Sequence, residues 1–378
     1  METRKFKDKN VSLLGFGTMR FPTVSPDSSE IDREEAEKML AYALNEGVNY
    51  IDTAYMYHDG QSEPFLGQAL QSYKRDSYYL ATKMPMWLGK DSAGIARIFE
   101  EQLQRLQTDY FDFYLCHNLN APYLAITEKL KVYQYLARKK EEGLIKHLGF
   151  SFHDTPDLLS KIVKSYDWEF AQIQLNYVDW DFQDAKSQYE ILKEHNLPCI
   201  VMEPVRGGAL ASLTPDAVEV LHKVNPNNSI ASWAIRYAAQ LPNVLTVLSG
   251  MSSMEQLQDN ISTVNNFKPL DLSETEALDK AVEIYRKNKT IPCTGCRYCS
   301  DCSQGVDIAE MFKIYNNYLL GSSNFSFISD YEATKRSSRE SNCTACGNCL
   351  DKCPQKIDIP TELENMAAAL KKAYAAEK

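Results

Sequence analysis

The chain has 378 residues, enough for one α/β barrel of about 250 residues and one small domain. Apolar residues are 44% of the total, so a sizeable core can be buried, and the net charge of -10 argues against a nucleic-acid partner and an anionic membrane surface. The first twenty residues lack the apolar run of a secretory signal, and no stretch approaches the roughly 18 apolar residues of a membrane span, so the expectation is a cytoplasmic protein.

Through residue 270, short apolar runs alternate with amphipathic stretches. In chain order the strands read LLGFG, VNYID, YYLAT, FDFYLC, IKHLGFS, FAQIQLN, PCIVM and VLTVLS. Helical spacing shows between them in REEAEKMLAYALNEG, EPFLGQALQSY, GIARIFEEQLQRL, AITEKLKVYQYLARKKEEG, TPDLLSKIVKSY, AKSQYEILKEHN and SIASWAIRYAAQL. SMEQLQDNISTVNNF follows the eighth strand. Eight strands, each followed by a helix, predict a (β/α)8 TIM barrel over 1–270. A doubly wound sheet is the runner-up, but LGFGTM has only the first half of the G-x-G-x-x-G that such a sheet carries after its first strand.

Barrel chemistry sits at the C-terminal ends of strands. There the second strand ends at Asp52 with Tyr57 in its loop, the third at Lys83 and the fourth at His117. A reducible carbonyl needs a hydride on carbon and a proton on oxygen. A phenol of pKa about 10 is a poor acid near neutrality. An adjacent ammonium lowers it, and a buried ammonium needs a carboxylate. A neutral imidazole donates a hydrogen bond to the developing alkoxide. Taken singly, each residue has a plainer reading: Asp52 and Lys83 as a buried ion pair, His117 as a core histidine, Tyr57 as one of 22 tyrosines.

Residues 10–267 resemble the aldo/keto reductase family, on Asp52-Thr53-Ala54-x-x-Tyr57, Ala81-Thr82-Lys83 and Tyr114-Leu115-Cys116-His117. The resemblance implies Tyr57 as proton donor, tuned by Lys83 and Asp52, and His117 orienting the carbonyl. It also implies a nicotinamide dinucleotide across the strand ends. Matching contacts are Gly17, Thr18 and Met19 after the first strand, Ser151 after the fifth, Gln174 ending the sixth, and Asn260 in the last helix. Ser249, Gly250, Met251 and Ser252 lie where the adenosine phosphate end belongs. Other positions depart from the family. Phe152 replaces the usual Asn, Met202 then Glu203 replace an aromatic, and Gly250 and Gln256 stand where basic residues grip a 2′-phosphate. Arg206, in the turn Arg206-Gly207-Gly208, is a second candidate for phosphate or a solvated loop arginine. NADH and NADPH both stay open.

From 271 the chain reads as a second domain, 271–378, entered through the helical stretch PLDLSETEALDKAVEIYRKN. Eight of the ten cysteines fall in two runs. One is Cys293, Cys296, Cys299 and Cys302; the other is Cys343, Cys346, Cys349 and Cys353, followed by Pro354. Cysteines at steps of three place thiolates on one side of a looping backbone, so two 4Fe–4S clusters are expected. Zinc favours paired CxxC knuckles instead, and disulfides do not suit the compartment. The second run fits the ferredoxin pattern, whose fourth cysteine reaches the other cluster. The first has one residue fewer before Cys302, which leaves that ligand open. Helical spacing in IAEMFKIYNNYLL and IPTELENMAAALKKAYAAEK makes this region resemble the small, mainly α-helical type of dicluster ferredoxin-like domain.

Nicotinamide moves two electrons as hydride, a cluster one at a time. Three functions follow from that mismatch. The barrel reduces a small-molecule carbonyl with NAD(P)H beside structural or regulatory clusters. Alternatively, the clusters relay electrons from a ferredoxin-like donor or acceptor to the barrel, with a flavin as converter. In the third, the chain is a non-enzymatic electron-transfer or redox-sensing subunit.

Overall fold

A computed structural model of the chain describes residues 1–25, 28–287 and 289–377. They divide into two compact units, one comprising Met1–Val205 and Ala231–Asp271, the other Arg206–Ile230 and Leu272–Lys378.

The first unit opens with an antiparallel hairpin, β1 (Thr3–Phe6) and β2 (Lys9–Ser12). Eight parallel strands then close into a barrel: β3 (Leu14–Gly17), β4 (Tyr50–Asp52), β5 (Tyr79–Met84), β6 (Phe111–Leu119), β7 (Ile145–Phe152), β8 (Ala171–Gln174), β9 (Cys199–Met202) and β10 (Val244–Gly250), with β10 pairing back onto β3. All eight expected strands are present. They read as unbroken apolar runs because both faces are covered. Tyr50, Ala81, Phe113, Leu115, Phe170, Ile200 and Leu248 form an inner cluster, while their neighbours Ile51, Leu80, Tyr114, Cys116, Ile173, Val201 and Val247 join a second cluster that includes helical residues. This is the period-two alternation of a strand. The hairpin, not expected from the sequence, belongs to the inner cluster through Phe6 and Val11, with Phe6 against Phe113 at 5.3 Å between ring centroids.

The outer helices follow the expected order, with one split. The stretch from Ala125 to Gly143 reads as one helix but forms Ala121–Lys129 and Val132–Glu141, interrupted where Lys131 takes φ 55.

In the second unit, helix Pro215–Val224, also not expected, packs on helix Leu272–Lys287. Helices Ile308–Leu319, Asn324–Ala333 and Ile359–Ala376 share a small core with Met311, Phe312, Phe327, Leu363 and Met366, against which cysteines of both runs pack. The two runs are structural copies. Positions two and four after the leading cysteine have positive φ in each: Gly295 (65) and Arg297 (60), Ala345 (52) and Gly347 (79). In each, the first of these residues folds back identically: the N–H of Gly295 donates to Cys293 Sγ and that of Ala345 to Cys343 Sγ, both at 3.4 Å. Each run then leads to an Asp that caps a helix, Asp307 accepting from Glu310 N–H and Asp358 from Thr361 N–H.

Candidate active site and cysteine-lined hollows

The strand ends bring the four expected catalytic residues together. Lys83, 1% exposed, donates to Asp52 Oδ1 at 2.6 Å and to the Thr53 carbonyl at 2.8 Å. Its Nζ lies 3.5 Å from Tyr57 Oη. The Tyr57 and His117 rings meet edge to face at 6.4 Å. Parallel strands put β4, β5 and β6 side by side with their C-terminal ends together, which is why residues 31 and 34 apart in sequence converge here. Burial pushes Asp52 above the usual carboxylate range and Lys83 below the usual ammonium range, and each charge counters the shift of the other. Burial, then Lys83 and His153, holds His117 well below the ordinary histidine range, so it is neutral.

Trp87 stacks on Tyr123 at 4.7 Å and lies 5.3 Å from the His117 ring. Trp180 instead packs among Tyr189 and Tyr237.

The positions expected to hold a dinucleotide divide. Gly17 ends β3 and Thr18 bonds Ser62 at 2.8 Å, with Met19 in the same turn. Ser151 Oγ accepts from Asn118 N–H at 2.7 Å, and Gln174 donates to Asp179 at 2.7 Å. Ser249 accepts from Asn260 at 3.0 Å; Gly250 lies against the stem of Arg20, Met251 is buried, and Ser252 N–H donates to Gln256 at 2.8 Å. Arg206 belongs to the second unit, is buried, and donates to the Tyr285 hydroxyl at 3.3 Å.

Two residues escaped sequence reasoning. Arg20 makes an ion pair with Glu203 at 3.6 Å, two single charges in unrelated loops. Glu63 is fully buried behind Lys83 and accepts from Thr82 Oγ1 at 2.7 Å and Gln102 Nε2 at 2.6 Å. Its only trace in the sequence is a charge among apolar residues in the stretch EPFLGQAL.

In the second unit the cysteines ring two hollows. One, of about 340 Å³, is lined by Cys293, Cys296, Cys299 and Cys353. The other, of about 450 Å³, is lined by Cys302, Cys343, Cys346 and Cys349, and also by Cys299, which the two hollows share. The electrostatics group them likewise. After burial, it is Cys296, Cys293 and Cys353 that raise the Cys299 thiol, and Cys343, Cys302 and Cys346 that raise Cys349. Two rings of four thiols, each drawn from both runs, suit a pair of 4Fe–4S cubes.

The aldo/keto reductase family model matches residues 13–283. The chain belongs to the aldo/keto reductase family. A 4Fe–4S dicluster domain matches residues 292–357, so this aldo/keto reductase carries a C-terminal iron–sulfur domain. The uncharacterized oxidoreductase YqkF of Bacillus subtilis is 26% identical over 324 residues, covering 77% of this chain and all of that one. The NADH-specific methylglyoxal reductase of Escherichia coli is 23% identical over 318 residues, covering 71% of this chain and 94% of its own length. Among solved structures, the aldo-keto reductase AKR11C1 of Bacillus halodurans in its holo form superposes with TM-score 0.62 at 26% identity, covering 74% of this chain and 96% of that one. Among the described residues no helix is long and apolar enough to cross a membrane.

Proposed function

We propose that the barrel reduces the carbonyl of a small molecule with NAD(P)H and that Tyr57 donates the proton. The observation that carries this reading is the buried chain of contacts from Asp52 through Lys83 to Tyr57, at 2.6 and 3.5 Å, beside a neutral His117. NAD(P)H, held by Gly17, Thr18, Met19, Ser151, Gln174, Ser249, Gly250, Met251, Ser252, Gln256 and Asn260, would supply the hydride. Tyr57 Oη gives its proton to the carbonyl oxygen. Lys83 stabilises the phenolate left behind, and Asp52 keeps Lys83 charged in a site that excludes water. His117 holds the carbonyl oxygen through a hydrogen bond as negative charge develops on it. The NADH-specific relative supports a nicotinamide donor. In this reading the barrel spans residues 1–270 and the iron–sulfur domain 271–378, with 206–230 grouping with the latter although they lie within the barrel's stretch of sequence. Cys293, Cys296, Cys299 and Cys353 would hold one cluster, and Cys302, Cys343, Cys346 and Cys349 the other.

A second reading, in which the clusters exchange electrons with a ferredoxin-like partner through a flavin, draws its support from Met202 and Glu203. They stand where the family's nicotinamide-stacking aromatic is expected. The test is anaerobic stopped-flow with NADH and NADPH, with and without an aldehyde. Carbonyl-dependent NAD(P)H oxidation that Tyr57→Phe lowers by about 10²-fold or more supports the first reading. Cluster bleaching by NAD(P)H alone, with flavin bound, supports the second. Full-rate carbonyl reduction by Tyr57→Phe refutes the assignment of Tyr57.

A further inference from the structure

Glu63 lies outside the four residues just given roles, yet it is wired to them. It is the second residue of the helix Ser62–Ala69 that follows the Tyr57 loop. Its Oε1 accepts two hydrogen bonds, from Thr82 and from Gln102. Thr82 immediately precedes Lys83 on β5, and Gln102 Nε2 also reaches the Lys83 carbonyl at 3.1 Å. One residue earlier, Ser62 Oγ bonds Thr53 at 2.9 Å, and the Thr53 carbonyl is an acceptor for the Lys83 ammonium. The Ser62 N–H donates to the Tyr57 carbonyl at 3.2 Å. Ser62 and Glu63 therefore tie the segment bearing Tyr57 to the strand bearing Lys83.

The pairing of Glu63 with a cation is loose. Oε2 lies 3.6 Å from Arg105 Nη1, and Arg105 gives its closer contact to Glu101. A fully buried carboxylate with one loosely held cation retains much of its field. The groups that face it are Arg105 and Gln102 from helix Ser92–Leu106, Thr82 and Lys83 from β5, Tyr114 from β6 and Tyr55 from its own loop. Among these, Lys83 is a second cation on which its charge acts, in the direction that keeps the ammonium protonated.

We infer that Glu63 is a positioning residue for proton transfer: its buried carboxylate holds the proton on the Tyr57–Lys83 pair and fixes Thr82 so that Lys83 reaches Tyr57. This rests on the reading of Tyr57 as the proton donor. Burial raises the Glu63 carboxyl to about 7 against the bonds from Thr82 and Gln102, so its charge is present on the alkaline side of neutrality, where the pair would release its proton.

The sign is fixed by electrostatics. A nearby negative charge strengthens proton binding by every group it faces, so removing it moves the titration of the pair to lower pH. In full-length, cluster-loaded protein, the ¹³Cζ resonance of labelled tyrosine that Tyr57→Phe removes reports this titration directly. In Glu63→Gln, which keeps shape and an acceptor for Thr82, the midpoint is expected to fall by ~0.5 unit or more. In Glu63→Asp, which keeps the charge, it is expected to stay within ~0.2 unit of the parent. A purely structural role predicts the reverse ranking, with the isosteric Gln harmless and the shorter Asp damaging. An unmoved midpoint in Glu63→Gln overturns the proposal, as does loss of the fold in both variants. Should Tyr57→Phe retain full carbonyl reduction while Glu63→Gln still shifts the midpoint, the catalytic reading fails and the coupling stands.

Discussion

Replacing Lys83 by Met tests how the ion pair at the barrel's strand ends contributes to folding. Lys83 and Asp52 are 1% and 3% exposed, and the ammonium is the hydrogen-bond partner of Asp52 Oδ1, while Oδ2 has none. Removing the lysine leaves a buried carboxylate uncompensated, which costs about 3–5 kcal/mol. At roughly 2–4 °C per kcal/mol for a barrel of this size, Tm falls by roughly 6–20 °C. Trp87, Trp168, Trp180 and Trp233 are the chain's 4 tryptophans and all lie in the first unit, so their fluorescence follows the barrel alone. The loss depends on pH with a definite sign. A carboxyl raised in the folded state binds more protons there than when unfolded, so stability falls as pH rises from the unfolded value through the folded one. The variant is therefore least handicapped in acid. Adding Asp52→Leu removes the orphaned charge and is expected to recover most of the loss. A single variant that melts within about 1 °C of the parent at pH 8, or a double variant no better than the single, refutes this account.

Three further outcomes follow from the geometry. A variant lacking Cys302, Cys343, Cys346 and Cys349 is expected to retain about four irons per chain, because the other hollow keeps its four thiols; loss of all iron on anaerobic reconstitution would mean that each run holds its own cluster. At Gly207, φ is +66 and an added Cβ would sit 2.3 Å from the Thr294 carbonyl oxygen beside Cys293. Gly207→Ala is thus expected to cost about 1–3 kcal/mol from the backbone alone and to speed chelator-driven bleaching of cluster absorbance. His117 is held neutral by burial and by Lys83, so its ¹⁵N resonances should show no protonation between about pH 5 and 8; a midpoint near 6.5 would contradict its surroundings.

Much of the barrel was legible because strand runs such as FDFYLC and VLTVLS are apolar on both faces and short. The grouping of Asp52, Tyr57, Lys83 and His117 was legible because strand ends converge in any barrel, so positions far apart in sequence need only sit at the right register. The hairpin β1–β2 was not, since METRKFKDKN carries charges at both odd and even positions and shows its buried Phe6 only against the barrel interior. The break at Lys131 carries no Gly or Pro to announce it. Glu63 escaped because a buried carboxylate and a surface one look alike until Thr82 and Gln102 are seen to close on it. The short spacing before Cys302 obscured its place. The downstream steps Cys302 to Asp307 and Cys353 to Asp358 are equal, and this equality becomes visible only when the two Asp caps are aligned.

Residues 206–230 leave the barrel sequence and group with the iron–sulfur unit before the chain returns at Ala231 to complete β10. No single cut can therefore divide this protein into its parts. A chain ended after Asp271 would keep the helix Pro215–Val224 but lose Leu272–Lys287, on which it packs, leaving Ala217 and Leu221 bare. During synthesis that helix emerges well before its partner and must wait, apolar side outward, while the last barrel strand is made. Exchange of the iron–sulfur module between barrels would need three crossovers, two of them inside the barrel's own seventh repeat.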